Sequence, residues 1–100
     1  MTEVRIALPA HLRTLAGVGA EVRVEVPDAP SIDDALEALE RVHPQLRGTI
    51  RDRATGERRA FMRYFACGRD LSHEPTGAPL PEAVARGDEA LIVIGAIAGG

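Results

Sequence analysis

The residues whose types and spacing bear on chemistry are few, and the ones that stand out close the chain: Ile94-Gly95-Ala96-Ile97-Ala98-Gly99-Gly100. Glycine has no Cβ, so a segment ending Gly99-Gly100 fits a narrow channel and adopts whatever φ the channel demands. From Gly95 onward six residues reach about 20 Å when extended, far enough to present a free carboxylate inside another protein. The remaining candidates are weaker. His11, His43 and His73 with Cys67 have the right side chains for a metal, but their spacings match no ligand pattern, so no metal site is expected. Cys67 near Arg69 is a lone thiol at a strand end, where plain packing is the simpler reading. No serine or cysteine has a histidine in recognisable context, and no glycine-rich phosphate loop follows a strand.

Composition narrows the field further. One hundred residues with 45% apolar and 27% charged side chains make one globular domain, too small for a built-in cofactor fold. A net charge of −3 gives no reason to bind nucleic acid or an anionic membrane. The opening Met1-Thr-Glu-Val-Arg-Ile-Ala-Leu8 has no apolar leader and no stretch approaches a membrane span. One cysteine excludes an internal disulfide and suits a reducing cytoplasm. All twelve basic residues are arginine. Without a lysine side chain, the protein cannot be the isopeptide acceptor for a copy of itself.

The elements that must position the ending follow from periodicity. Glu3 to Leu8 alternates with Val4, Ile6 and Leu8 on one face, and Glu21 to Val26 does the same with Val22, Val24 and Val26. Joined by a glycine-bearing connection anchored at Leu12 and Leu15, with a short helical turn around Leu12 as the alternative to plain loop, these runs predict an antiparallel hairpin. Ser31-Ile-Asp-Asp34 has the pattern of a capping box, and Ile32, Ala35, Leu36, Leu39 and Val42 recur at helical spacing until Pro44 biases His43 out of the helix. In 45–59, Leu46 and Ile50 are expected to pin one turn to the core, and Ala54 to Glu57 reads as a mobile tip. Five arginines (Arg47, Arg51, Arg53, Arg58, Arg59) crowd that segment, either as a solvated loop or as a basic patch that steers an acidic partner. Ala60 to Cys67 reads as a third strand, with a turn at Gly68-Arg-Asp70 and a short strand at Leu71 to His73. Pro81 to Ala85 makes about one helical turn, and Gly87-Asp88 opens the last strand. That strand, Leu91-Ile-Val-Ile94, is the most β-branched run in the chain.

This order is an α+β roll: a mixed sheet of four to five strands packed on one main helix, with 1–94 as the body and 95–100 as a flexible tail. Alternation places Leu91 and Val93 on one face of the last strand and Ile92 and Ile94 on the other. If Arg63 faces water, Phe61 and Phe65 share its side while Met62, Tyr64 and Ala66 point inward. Phe61, Phe65, Ile92 and Ile94 would then form an outer apolar patch beside the tail, unless 45–59 folds over it. A sizeable exposed apolar patch marks an interface.

The order ββαβ(β)β, the turn Gly87-Asp88-Glu89-Ala90 before the last strand, and the ending Ala96-Ile97-Ala98-Gly99-Gly100 together resemble the MoaD/ThiS family of small sulfur-carrier proteins. The resemblance implies a ubiquitin-like β-grasp fold. The arginine-bearing segment and the Ala-Ile-Ala-Gly-Gly ending look most like the branch that feeds sulfur to cysteine synthesis, with the molybdopterin-synthase small subunit close behind. Two positions depart from the family's habit: Gly95, where proline is common, and Cys67, where asparagine is common. The family implies an E1-like adenylating and sulfurtransferase partner that uses ATP and Mg to adenylate the terminal carboxylate. Sulfide or a persulfide then displaces AMP and leaves a thiocarboxylate. A sulfur-accepting synthase, in a cysteine-, molybdopterin- or thiamin-type pathway, consumes it. On this reading Gly100 carries the chemistry and Gly99 allows its passage. Phe61, Phe65, Ile92, Ile94, Gly95, Ala96, Ile97 and Ala98 meet the partner. The chain binds no cofactor or metal itself and is a protein cosubstrate, not an enzyme. The competing reading is a β-grasp interaction module, or accessory subunit, with no chemistry at its terminus.

Overall fold

In a computed structural model of the chain, residues 1–95 are described. Alternation builds the first two strands: β1 (Thr2–Ala7) buries Val4 and Ile6, and β2 (Glu21–Val26) buries Val22, Val24 and Val26. They pair antiparallel, with Val4 opposite Val24 and Ile6 opposite Val22. Between them the chain forms a short helix, α1 (Ala10–Ala16), the alternative of a helical turn around Leu12 and not the plain loop. Pro9 precedes it in extended conformation and Gly17 ends it at φ 69°, a left-handed position that suits glycine. Leu12 is its buried anchor; Leu15, expected as a second anchor, stands 49% exposed.

The main helix, α2 (Ile32–Val42), begins at the predicted capping box. The Ser31 hydroxyl accepts from the Asp34 N–H at 3.0 Å, and the Asp34 carboxylate accepts from the Ser31 N–H at 3.0 Å. Ile32, Ala35, Leu36 and Leu39 face the sheet, and burying each of the larger three contributes roughly 1.5–3 kcal/mol. Val42 does not join them; at the helix end it is 60% exposed. A 3-10 turn (Pro44–Leu46) follows, with Leu46 and Ile50 fully buried as expected.

The tip at 54–57 is closed, not open: the Asp52 carboxylate accepts from the Ala54 and Thr55 N–H groups, and Arg51 and Arg58 form a bridge across it. Three of the five arginines are used internally. Arg51 donates to Glu40 at 2.9 Å, Arg58 to the carbonyls of Ser72 and Met62, and Arg59 to the carbonyl of Gly48.

β3 (Met62–Ala66) turns back through Cys67 and Gly68 into β4 (Arg69–Asp70). The second strand of this hairpin therefore lies two residues earlier than the expected Leu71–His73. Both turn residues have positive φ, 53° at Cys67 and 74° at Gly68, and that makes a two-residue connection. After α3 (Glu82–Ala85) comes β5 (Leu91–Gly95), which includes Gly95, one residue beyond the expected end of the body. The sheet order is β2-β1-β5-β3-β4, with β1 and β5 parallel and the remaining pairs antiparallel. Among the described residues no helix is long and apolar enough to cross a membrane.

Candidate functional site

The candidate site is the far end of β5 and the sheet face beside it. Arg5 on β1 sets the entry of that strand: its guanidinium donates to the carbonyls of Gly87 at 3.1 Å and Asp88 at 3.0 Å and pairs with Glu21 at 3.0 Å. Gly87 at φ 83° makes the turn. β5 then runs between β1 and β3, so its start is fixed on both sides, with Ile6 opposite Leu91 and Phe65 opposite Ile92. Leu91 and Val93 are buried in the core.

Among the described residues nothing covers the other face. Ile92 and Ile94 are 39% and 44% exposed, Phe61 just before β3 is 48% exposed, and Phe65 is half-buried. The register sets Phe65 opposite Ile92 and Arg63 opposite Ile94, so the four apolar side chains share one face. Segment 45–59 does not cover them. Arg51 ties it to the helix side through Glu40 and, at 3.6 Å, Asp33. Burial pulls the Arg51 guanidinium down, but Glu40 and Asp33 outweigh it and leave its pKa above the ordinary value.

A charged rim borders the patch. Arg63 pairs with Asp70 at 3.3 Å and Arg69 with Glu74 at 3.3 Å. The hydroxyl and N–H of Ser72 both donate to Asp70 and hold its carboxyl below the usual range.

Gly95 lies opposite Met62, and its inner side is crowded. A Cβ there would stand 3.0 Å from His11 Cε1 and 3.4 Å from Met62 Sδ. Sequence reasoning weighed His11 only as a metal ligand and missed this neighbour, because nothing in the spacing of residues 11 and 95 announces it. Ala96, Ile97, Ala98, Gly99 and Gly100 lie outside the described residues. Among the described residues no three histidine, cysteine, aspartate or glutamate side chains converge as a metal cage would require.

No family model and no curated protein matches the chain. Solved structures do. Small archaeal modifier protein 1 from Haloferax volcanii is 26% identical, with a TM-score of 0.76 over 98% of this chain and 99% of that one. CysO from Mycobacterium tuberculosis, an antigen, is 18% identical with a TM-score of 0.73 over 94% of this chain and 99% of that one. A chain of the BexX/CysO complex from Amycolatopsis orientalis is 17% identical with a TM-score of 0.75 over 97% and 99%. The last two show likeness of fold alone. Strand order, the single main helix and the span of these likenesses together give this chain the ubiquitin-like β-grasp fold.

Proposed function

We propose that the chain is a sulfur carrier whose terminal Gly100 carboxylate is adenylated by an E1-like enzyme and converted to a thiocarboxylate. The observation that supports this reading is the likeness to a modifier protein along nearly the whole chain, with the strand before the Gly-Gly ending set inside the sheet. A carboxylate is a poor electrophile. Its oxygen attacks the α-phosphorus of ATP, with Mg on the phosphates, and pyrophosphate leaves. A sulfide sulfur then attacks the acyl carbon, and the bond to AMP breaks to leave the thiocarboxylate. With a persulfide as donor the product is an acyl disulfide, which a second thiol cleaves to the thiocarboxylate as it forms a disulfide with the donor. The chain provides no base and no metal for either step. It supplies the acyl group and a docking face made of Phe61, Phe65, Ile92 and Ile94. Residues Gly95 to Ala98 thread the glycines into the partner. The CysO structure solved with BexX gives a precedent for a β-grasp chain meeting a second protein. A sulfur-accepting synthase takes the sulfur onward.

Intact-mass spectrometry tests the reading. Incubation with the E1-like enzyme, ATP, Mg and sulfide is expected to raise the mass by the exchange of one oxygen for sulfur. One alanine added after Gly100 abolishes the gain. An unchanged mass together with retained binding makes the protein an interaction module instead.

A further inference from the structure

We propose that the chain self-associates edge to edge: β2 of one copy pairs antiparallel with β2 of a second, about a two-fold axis at Val24, and Arg23 of each copy lies opposite Glu25 of the other. The inference does not rest on the carrier reading. In the sheet order β2-β1-β5-β3-β4 the far edge, β4, has only two residues, so β2 is the one long edge strand among the described residues. Its ladder shows which backbone groups are free. The Leu8 N–H donates to the Ala20 carbonyl at 3.1 Å, one step beyond the Ala7–Glu21 pair. Bonded and non-bonded pairs alternate in an antiparallel ladder, so Val22, Val24 and Val26 turn their backbone groups to β1. Glu21, Arg23 and Glu25 turn theirs outward, and none of these groups enters another backbone hydrogen bond among the described residues. Such an edge is a template for one more strand.

The charges on it select both the strand and the register. Glu21, Arg23 and Glu25 stand exposed in the order negative, positive, negative. With Arg23 opposite its own copy, every pair repels; offset by two residues, each Arg23 meets a glutamate. Glu21 is already held by Arg5 at 3.0 Å, whereas Glu25 has no ion-pair partner among the described residues, so the axis falls at Val24. Arg23 reaches Glu3 only at 3.6 Å with both side chains exposed, a contact that costs little to exchange. The helix layer fits the same axis. Arg51 holds Asp33 and Glu40 toward 51–58, which Arg58 ties to the carbonyls of Met62 and Ser72 on the β3–β4 side. The helical period puts Ala38 and Val42 on the opposite flank of α2, toward the β2 edge. Two such helices then run antiparallel across the axis, with the small Ala38 near the middle and the exposed Val42 beside the second helix. Because β1 separates this edge from β5, the face of Phe61, Phe65, Ile92 and Ile94 stays accessible in both copies.

Sedimentation equilibrium at millimolar protein tests the proposal, since a short ladder with exposed ion pairs makes a weak dimer. The wild type is expected to dimerise. Arg23→Glu and Glu25→Arg each set like charges opposite one another, and association falls by about tenfold or more in either variant. An equimolar mixture of the two variants restores opposite charges at every pair and associates as the wild type does. Circular dichroism checks that both variants are folded, as substitutions at exposed positions should leave them. A monomeric wild type, single variants that associate like the wild type, or a mixture that stays monomeric overturns the proposal. By NMR, diluting the wild type is expected to shift the amides of Arg23 and Glu25 most. Shifts centred instead on Phe61, Phe65, Ile92 and Ile94 put the contact on the apolar face and overturn it as well.

Discussion

Cys67 holds φ at 53° in a two-residue turn whose other member, Gly68, is at 74°. Such a turn needs left-handed backbone at both positions, and a residue with a Cβ bears a cost there that glycine does not and asparagine bears more lightly. The exposed thiol at this place is therefore a strained turn residue, with no structural role for its sulfur in the core. Cys67→Asn is expected to raise stability by about 0.5–1 kcal/mol, read as a higher melting temperature. An unchanged or lower value would show that the turn bears no strain at Cys67. The same residue explains why the hairpin was misplaced in the sequence. Gly68, Arg69 and Asp70 look like a turn and cysteine does not, so the pattern points to a second strand at Leu71–His73 where the chain places it at Arg69–Asp70. Asp70 uses its turn-forming carboxylate to accept from the Ser72 N–H at 2.8 Å, just after β4.

At the scale of elements, β3 and β5 act as a pair with two different faces. Met62, Tyr64, Leu91 and Val93 hold the core together, while Phe61, Phe65, Ile92 and Ile94 leave apolar surface in water. Removing a side chain from the second set should spare the fold and affect only what docks there. Phe65→Ser is expected to weaken binding to the E1-like enzyme at least tenfold, as truncating an interface anchor does, with a stability loss of only about 1 kcal/mol. Calorimetric titration and a thermal melt check the two halves; wild-type affinity would refute the docking role.

These strands were legible because their alternation is uninterrupted, and α2 because a cap, a 3.6-residue period and a terminal proline agree. α1 was not legible. It has seven residues and one buried side chain, so there is no stripe to detect, and Leu15 looked like an anchor but faces water. Val42 likewise keeps the period of α2 but, as its last residue, stands exposed. The closeness of His11 to Gly95 was invisible for a different reason: it is created by the fold between residues far apart in the chain. The arginines of 47–59 give a third case. Composition shows a basic cluster, but only the structure shows Arg51, Arg58 and Arg59 committed to Glu40 and to backbone carbonyls.

The molecule as a whole carries one tyrosine and no tryptophan, so a single buried phenol reports on its integrity. Burial pushes Tyr64 up to about 12, and nearby Asp33 and Glu40 add to this while Arg51 and Arg58 oppose it. The folded-state value lies above the unfolded value of about 10. The folded state thus favours the neutral phenol. The resulting contribution to stability is complete below about pH 10 and is lost as pH rises toward about 12. An alkaline absorbance titration is expected to show phenolate appearing late and together with loss of circular dichroism. Ionisation near pH 10 in an intact fold would contradict the burial of Tyr64.

The place of β5 in the sheet also decides how the molecule bears force. Any protein that draws in the last residues hauls on this strand along its own axis, while β1 and β3 grip it from either flank. The hydrogen bonds of both ladders are then loaded in shear and must give way together, whereas a strand on the rim would unzip one bond at a time. The handle can be tugged hard without unravelling what it is attached to.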